Sequence, residues 1–206
     1  MLVIGLTGSI GMGKSTAAAR FKQNGIAVFD ADAAVHRLYA GAAVHLIEEA
    51  FPGTTENGVV DRSRLLAALV AAPDGLKRLE AIVHPMVRDL ECEFLREEVA
   101  KGAPMAVLEI PLLFETGGDK LCDVIVVVSA PPDAQRERVL TRPGMTLEKL
   151  DKILARQMPD AQKRELADFV VDTGGPIPET QAQIDRLVAL LQECQGTAYH
   201  RHWAAS

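Results

Sequence analysis

Eight consecutive residues, Gly8-Ser9-Ile10-Gly11-Met12-Gly13-Lys14-Ser15, set glycines, a lysine and a hydroxyl at the spacing G-x-x-x-x-G-K-[ST]. Such a set suits a polyanion. Glycines let the backbone turn tightly and aim N–H groups inward. The ammonium then meets phosphate charge, and the hydroxyl can ligand Mg²⁺. The pattern is a phosphate-binding P-loop when a strand precedes it and a helix follows. Here an apolar run over residues 2–6 precedes it, and the helix-prone stretch 15–21 follows. The chain is therefore expected to bind a nucleoside triphosphate through Gly8, Gly11, Met12, Gly13, Lys14, Ser15 and Thr16. Met12 would serve through its backbone N–H, and Ser15 would touch the metal. Without ligand, the Lys14 side chain is expected to point into water.

A second set of polar groups ends an apolar run: Val28-Phe29-Asp30-Ala31-Asp32. In an open parallel sheet, ligands collect outside the carboxyl ends of the strands. A carboxylate there can accept the proton of an attacking hydroxyl. Asp32 has an equally good reading as the N-cap of a helix over 33–39. Asp30 and Asp32 share one face if the strand's period of two continues, so spacing alone does not say which acid reacts.

The elements that must position these groups follow from hydrophobic patterning. Runs over 2–6, 26–29, 105–110, 123–128 and 168–171 are continuously apolar, as in strands covered on both faces. Helical segments between them imply βαβ crossovers and a mainly parallel five-stranded sheet. The fold expected is a three-layer, doubly wound α/β domain. The interval between Phe29 and Met105 contains no convincing strand. It offers helical stretches over 34–39, 44–51, 63–71, 75–83 and 86–99, which suggests a helical insertion suited to a second substrate. Ile184, Leu187, Val188 and Leu191 form a helical stripe expected to pack on the sheet. The tail from Gly196, with His200, His202 and Trp203, has no clear periodicity and is expected to fray rather than to hold a metal through its two histidines.

Composition narrows the function classes. The chain has 206 residues and a net charge of −6, with Lys and Arg spread along it. An extended nucleic-acid groove needs concentrated positive charge, so DNA and RNA are poor partners. Cys92, Cys122 and Cys194 are odd in number and lack C-x-x-C spacing, as expected of small thiols in a reducing compartment. The most apolar later run, 124–128, is far too short to span a bilayer. A cytoplasmic protein is expected, with no membrane attachment and no protein partner implied.

Four blocks in order give a specific resemblance: Gly5-Leu6-Thr7-Gly8-Ser9-Ile10-Gly11-Met12-Gly13-Lys14-Ser15-Thr16, Asp30-Ala31-Asp32, Ile82-Val83-His84-Pro85 and Ile110-Pro111-Leu112-Leu113-Phe114-Glu115. Gly58-Val59-Val60-Asp61-Arg62 and Ala155-Arg156-Gln157 also fit. Together they resemble the dephospho-coenzyme A kinases, P-loop enzymes that transfer the ATP γ-phosphoryl to the ribose 3′-hydroxyl of dephospho-coenzyme A in the last step of coenzyme A synthesis. The resemblance implies one P-loop kinase domain over 1–206, with an acceptor-binding insertion over 33–100 and a lid over 135–157. It implies Mg²⁺ as cofactor and ATP and dephospho-coenzyme A as partners.

The resemblance also assigns roles. Asp32, as the second acid of the family's D-x-D, becomes the catalytic base. Glu109 ends an apolar strand as a Mg²⁺-holding acid would, acting through water, or is a plain strand-end carboxylate. His84, ahead of Pro85, starts a helix after an extended residue; it touches the acceptor, or caps and packs. Leu112, Leu113 and Phe114 give an apolar wall for a pantetheine arm. Arg138 and Arg142 belong to the lid and would neutralise transition-state charge beside Lys14; Arg156 is a further candidate and Arg136 reads as surface. Pro143-Gly144 reads as a turn, with Thr146 capping the next helix. Two departures stand out: Met12 where family members often have Ser, and Asp172-Thr173-Gly174-Gly175 where an Asn-x-Gly turn near adenine is common. Shikimate and gluconate kinases, and a GTPase switch using that D-x-x-G, are the rival readings; no N-K-x-D motif accompanies the latter.

Overall fold

A computed structural model describes residues 1–204. From the N-terminus its elements are β1 (Leu2–Thr7), α1 (Lys14–Gln23), β2 (Ala27–Asp30), α2 (Ala31–Tyr39), α3 (Val44–Ala50), β3 (Thr55–Glu56) and β4 (Val59–Val60). Next come α4 (Arg62–Ala71), α5 (Gly75–Ala100), β5 (Met105–Glu109), β6 (Val124–Ser129) and α6 (Pro132–Leu140). The chain closes with α7 (Leu147–Leu154), α8 (Asp160–Leu166), β7 (Phe169–Asp172) and α9 (Ile177–Leu191). It divides into two compact units, Met1–Phe29 with Phe94–Ser206, and Asp30–Glu93.

The first unit is built on a five-stranded sheet in the order β2-β5-β1-β6-β7. The pairs β1–β5, β1–β6 and β6–β7 are parallel, with Leu6 opposite both Glu109 and Val126. The central position of β1 explains its wholly apolar sequence. Leu2, Ile4 and Leu6 enter a core with Ala17, Phe21, Ile184 and Leu187. On the other face Gly5 lies against Leu113, Cys122 and Ile125. Every residue of β1 is buried, which fixes the strand end that launches the P-loop. On the outer side of the first core, Asp185 of α9 accepts from Arg20 Nε at 2.7 Å and from Asn24 Nδ2 at 2.8 Å, tying α9 to α1.

Through residue 204 the tail does not fray; residues 205–206 lie outside the described residues. Asp123 Oδ1 accepts the N–H groups of Thr197 (2.7 Å) and Ala198 (2.8 Å), while its Oδ2 accepts that of Val3 (2.9 Å). A π-helical turn over Tyr199–Trp203 follows, and Trp203 is buried with Nε1 donating to Leu121 O. One carboxylate thus joins the tail to the P-loop strand, a nonlocal arrangement that periodicity cannot signal.

The second unit packs α2, α3, α4 and part of α5 around Leu38, Ile47, Phe51, Val60, Leu65, Leu79 and Val83. Contrary to the helical expectation, it includes a hairpin, β3 paired antiparallel to β4. Two-residue strands are too short to show alternation. Their signal was Asn57-Gly58, whose positive φ angles of 52° and 76° suit a tight hairpin turn. His84 and Pro85 do not begin a helix either; α5 runs through both. Pro85 removes one backbone donor, but it lies on the exposed side while Val83 and Leu79 anchor the same helix in the core.

Burial pushes the Glu91 carboxyl of α5 up to about 7, with Arg88 Nη1 at 3.2 Å pulling weakly the other way. The folded chain therefore binds a proton that the unfolded chain releases near its ordinary 4.5. The associated stability is full below that value and is lost as pH rises through about 7. Glu91→Gln should flatten the decline of the thermal midpoint across this window relative to the parent. Parallel pH profiles for the two proteins would dissociate Glu91 from the decline.

Candidate active site

The central strand ends at Thr7, and the chain turns at once through Gly8–Gly13 into α1. The turn is held from within and by side chains from residues 135 and 157. Met12 N–H donates to Ser9 O at 3.2 Å, and Thr16 and Ala17 N–H both return to Gly13 O. Gln135 Nε2 of α6 donates to Ile10 O at 2.7 Å, and Gln157 Oε1 accepts from Ile10 N at 3.1 Å. A Cβ on Gly11 would lie 2.6 Å from Val139 Cγ2 and 3.1 Å from Gln135 O, so only glycine permits α6 to approach this closely. Gly13 is the N-cap of α1 and offers no side chain, which leaves the helix's first turn open to an anion.

Lys14 does not simply extend into water: its Nζ donates to Gly8 O at 2.7 Å, spanning the loop from helix start to strand end. Ser15 is exposed at the start of α1, and Thr16 is half-buried. Met12 departs from its assigned part, because its N–H is used inside the turn. Its side chain is buried, and Sδ accepts the Ala130 N–H at 3.1 Å.

Glu109 ends β5 opposite Leu6, one residue before the P-loop strand ends. The following segment, residues 111–117, is a run of turns. Thr7 Oγ1 donates to Pro111 O at 3.2 Å, and the fully buried Lys163 Nζ lies 2.9 Å from Glu115 Oε1. Leu113 is fully buried with Ile125 and Val127, so it belongs to the core and not to an apolar wall. Leu112 is exposed and Phe114 half-buried.

Of the arginines, Arg138 is drawn to the P-loop. Its Nη2 donates to Thr173 O at 2.6 Å, and Thr173 Oγ1 in turn donates to Met12 O at 2.8 Å. Arg142 and Arg156 are exposed, as is Arg136. Thr146 caps α7 by accepting from Lys149 N–H at 3.2 Å. In the second unit Asp30, not Asp32, caps α2: its Oδ1 accepts the Ala33 N–H at 2.9 Å. The helix begins one residue after Asp30, so the strand's alternation does not reach Asp32. That residue is exposed in the first helical turn. His84 is exposed on α5.

Sequence reasoning missed Gln135, Thr173 and Lys163. Gln135 had a signal, since it shares a helix face with Val139 at i, i+4 and is buried there. Lys163 had none; its burial depends on Glu115, far away in sequence.

A glycine cradle of this build, at the C-terminal edge of a parallel sheet and braced by the helices that follow, defines a P-loop nucleotide-binding protein. Within that class the dephospho-CoA kinase family model matches residues 2–179, and the chain belongs to that family. It is 56% identical over 188 residues to the dephospho-CoA kinase of Brucella melitensis, covering 91% of this chain and 94% of that one. It is 53% identical to the dephospho-CoA kinase of Mesorhizobium japonicum, covering 96% and 100%. A solved Thermus thermophilus structure superposes with a TM-score of 0.79 at 36% identity, covering 92% of this chain and 97% of that one. A Bacteroides thetaiotaomicron shikimate kinase shares the fold alone, with a TM-score of 0.51 at 18% identity, covering 93% and 98%.

Proposed function

We propose that this protein transfers the γ-phosphoryl group of ATP to the ribose 3′-hydroxyl of dephospho-coenzyme A, forming coenzyme A and ADP, and that it does so in the cytoplasm. The observation that carries the reading is the braced P-loop, in which Lys14 spans the turn and Arg138 is tethered to it through Thr173. Family membership supplies the acceptor. No helix among the described residues is long and apolar enough to cross a membrane.

In this reading the P-loop N–H groups and Lys14 hold the β- and γ-phosphates. Arg138 and, from just beyond the end of α6, Arg142 neutralise charge as the phosphoryl group moves. Asp32 accepts the proton of the 3′-hydroxyl and keeps its oxygen in line. Asp30 is occupied as a helix cap, which supports giving this part to Asp32. Leu112, Phe114 and His84 are the residues given to the acceptor. Ser15 and Glu109 offer a hydroxyl and a carboxylate, the oxygen donors that Mg²⁺ takes while keeping several waters. These residues fit the ion, with Glu109 acting through water; when bound, the ion supplies charge neutralisation on the phosphates.

The direct test is to incubate the protein with Mg-ATP and dephospho-coenzyme A and look for coenzyme A by mass. A second test shortens the acceptor. Binding energy from the remote pantetheine arm can orient the reacting hydroxyl, so adenosine should show a lower kcat as well as a higher KM. Equal kcat/KM for adenosine and dephospho-coenzyme A would mean that the arm is not read.

A further inference from the structure

Thr173, just past the end of β7, is buried at 4% exposure and is hydrogen-bonded to three segments, the P-loop, β6 and α6. Its N–H donates to Ser129 O at 2.8 Å. Its hydroxyl lies 2.8 Å from Met12 O and 3.1 Å from Ser129 O. Ser129 O is already served by the N–H, so the single hydroxyl proton goes to Met12 O. On the other side Arg138 Nη1 approaches the hydroxyl oxygen at 3.4 Å, and Nη2 bonds the Thr173 carbonyl at 2.6 Å. A Cβ on Gly13 would sit 3.1 Å from Thr173 Cβ, so the threonine lies directly against the cap of α1.

These contacts form one directed chain: guanidinium to hydroxyl to P-loop carbonyl. A donor that itself receives a hydrogen bond from a cation is a stronger donor. The peptide between Met12 and Gly13 is planar and trans, so its N–H points opposite to its carbonyl. Fixing Met12 O therefore fixes the direction in which Gly13 N–H donates. Met12 is held at its other end as well, by the Ala130 N–H on Sδ.

We propose that Thr173 is a positioning residue for phosphoryl transfer: its hydroxyl sets the 12–13 peptide of the P-loop, and its carbonyl holds Arg138 beside it. Resting on the phosphotransfer reading above, the proposal is tested by Thr173→Val, which keeps the branched shape against Gly13 and removes only the hydroxyl. The kcat for coenzyme A formation should fall about 10–100-fold, since small misplacements in a reacting site have effects of this size. KM for dephospho-coenzyme A should stay within about two-fold, because the acceptor does not touch this peptide. Mg-ADP should bind about ten-fold more weakly while adenosine affinity is unchanged, isolating the phosphate contribution. Thr173→Ser should restore both quantities to within about three-fold, as it returns the donor.

A merely structural threonine would lower the thermal midpoint and leave the ADP-to-adenosine affinity ratio alone. A folded valine variant with parental kcat and ADP affinity overturns the proposal, and so does a serine variant that restores neither. Should the valine variant not fold, Thr173→Cys, a weaker donor of similar size, is read by the same criteria. The ADP and adenosine measurements need no acceptor. If the parent protein fails to make coenzyme A, the substrate reading falls, and the affinity ratio still decides the role of Thr173.

Discussion

Replacing Lys14 with alanine is expected to lower turnover by about 10³-fold or more, equivalent to roughly 4 kcal/mol of lost transition-state stabilisation. The reason lies in where the ammonium sits. It already spans the turn onto Gly8 O at 2.7 Å, so it stands within the loop that would enclose the β- and γ-phosphates. The same contact means that the substitution also removes a bond from the empty protein, worth about 1 kcal/mol net. Thermal unfolding should therefore record a modest fall in midpoint, while steady-state kinetics record the large loss. Near-parental turnover from a folded Lys14→Ala protein would take the P-loop out of the mechanism.

Asp32→Asn should have an effect of similar order, for a different reason. The amide keeps the shape of the carboxylate and loses its capacity to take a proton, so kcat should fall about 10²–10⁴-fold while ATP still binds. Asp30 serves as the control. Its Oδ1 caps α2 through the Ala33 N–H, and asparagine caps nearly as well as aspartate, so Asp30→Asn should be mild. Measuring kcat and nucleotide affinity for both variants separates the two acids. If Asp30→Asn proved the more damaging, the base would have to be reassigned to Asp30 while the family membership stood.

The contrast between these two acids shows where the sequence stops being informative. Spacing placed both at the end of a strand, and that much is local. Which of them would be taken up as a cap depended on where the helix began, a matter of one residue. The P-loop and the five strands were legible for the same local reason: continuous apolar runs and glycine spacing are written into neighbouring positions. Leu113 misled because an apolar residue looks the same whether it lines a groove or, as here, fills the space beside Gly5. Thr173 was hidden more deeply. Its partners are Met12, Ser129 and Arg138, three segments that only the folded sheet brings together. The hairpin over Thr55–Val60 has a local signal, since Asn57-Gly58 marks its turn.

The docked tail has a practical consequence for spectroscopy. Trp203 is the only tryptophan in the chain. It is buried, and its indole N–H is bonded to Leu121 O, just ahead of β6 and so at the opposite end of the strands from the P-loop. Its fluorescence is an intrinsic probe of whether the last turn is seated, placed away from the nucleotide cradle. Emission from the unlabelled protein therefore reports denaturation from a site remote from the nucleotide cradle, so the rise in midpoint that a bound nucleotide produces can be followed on a single optical signal.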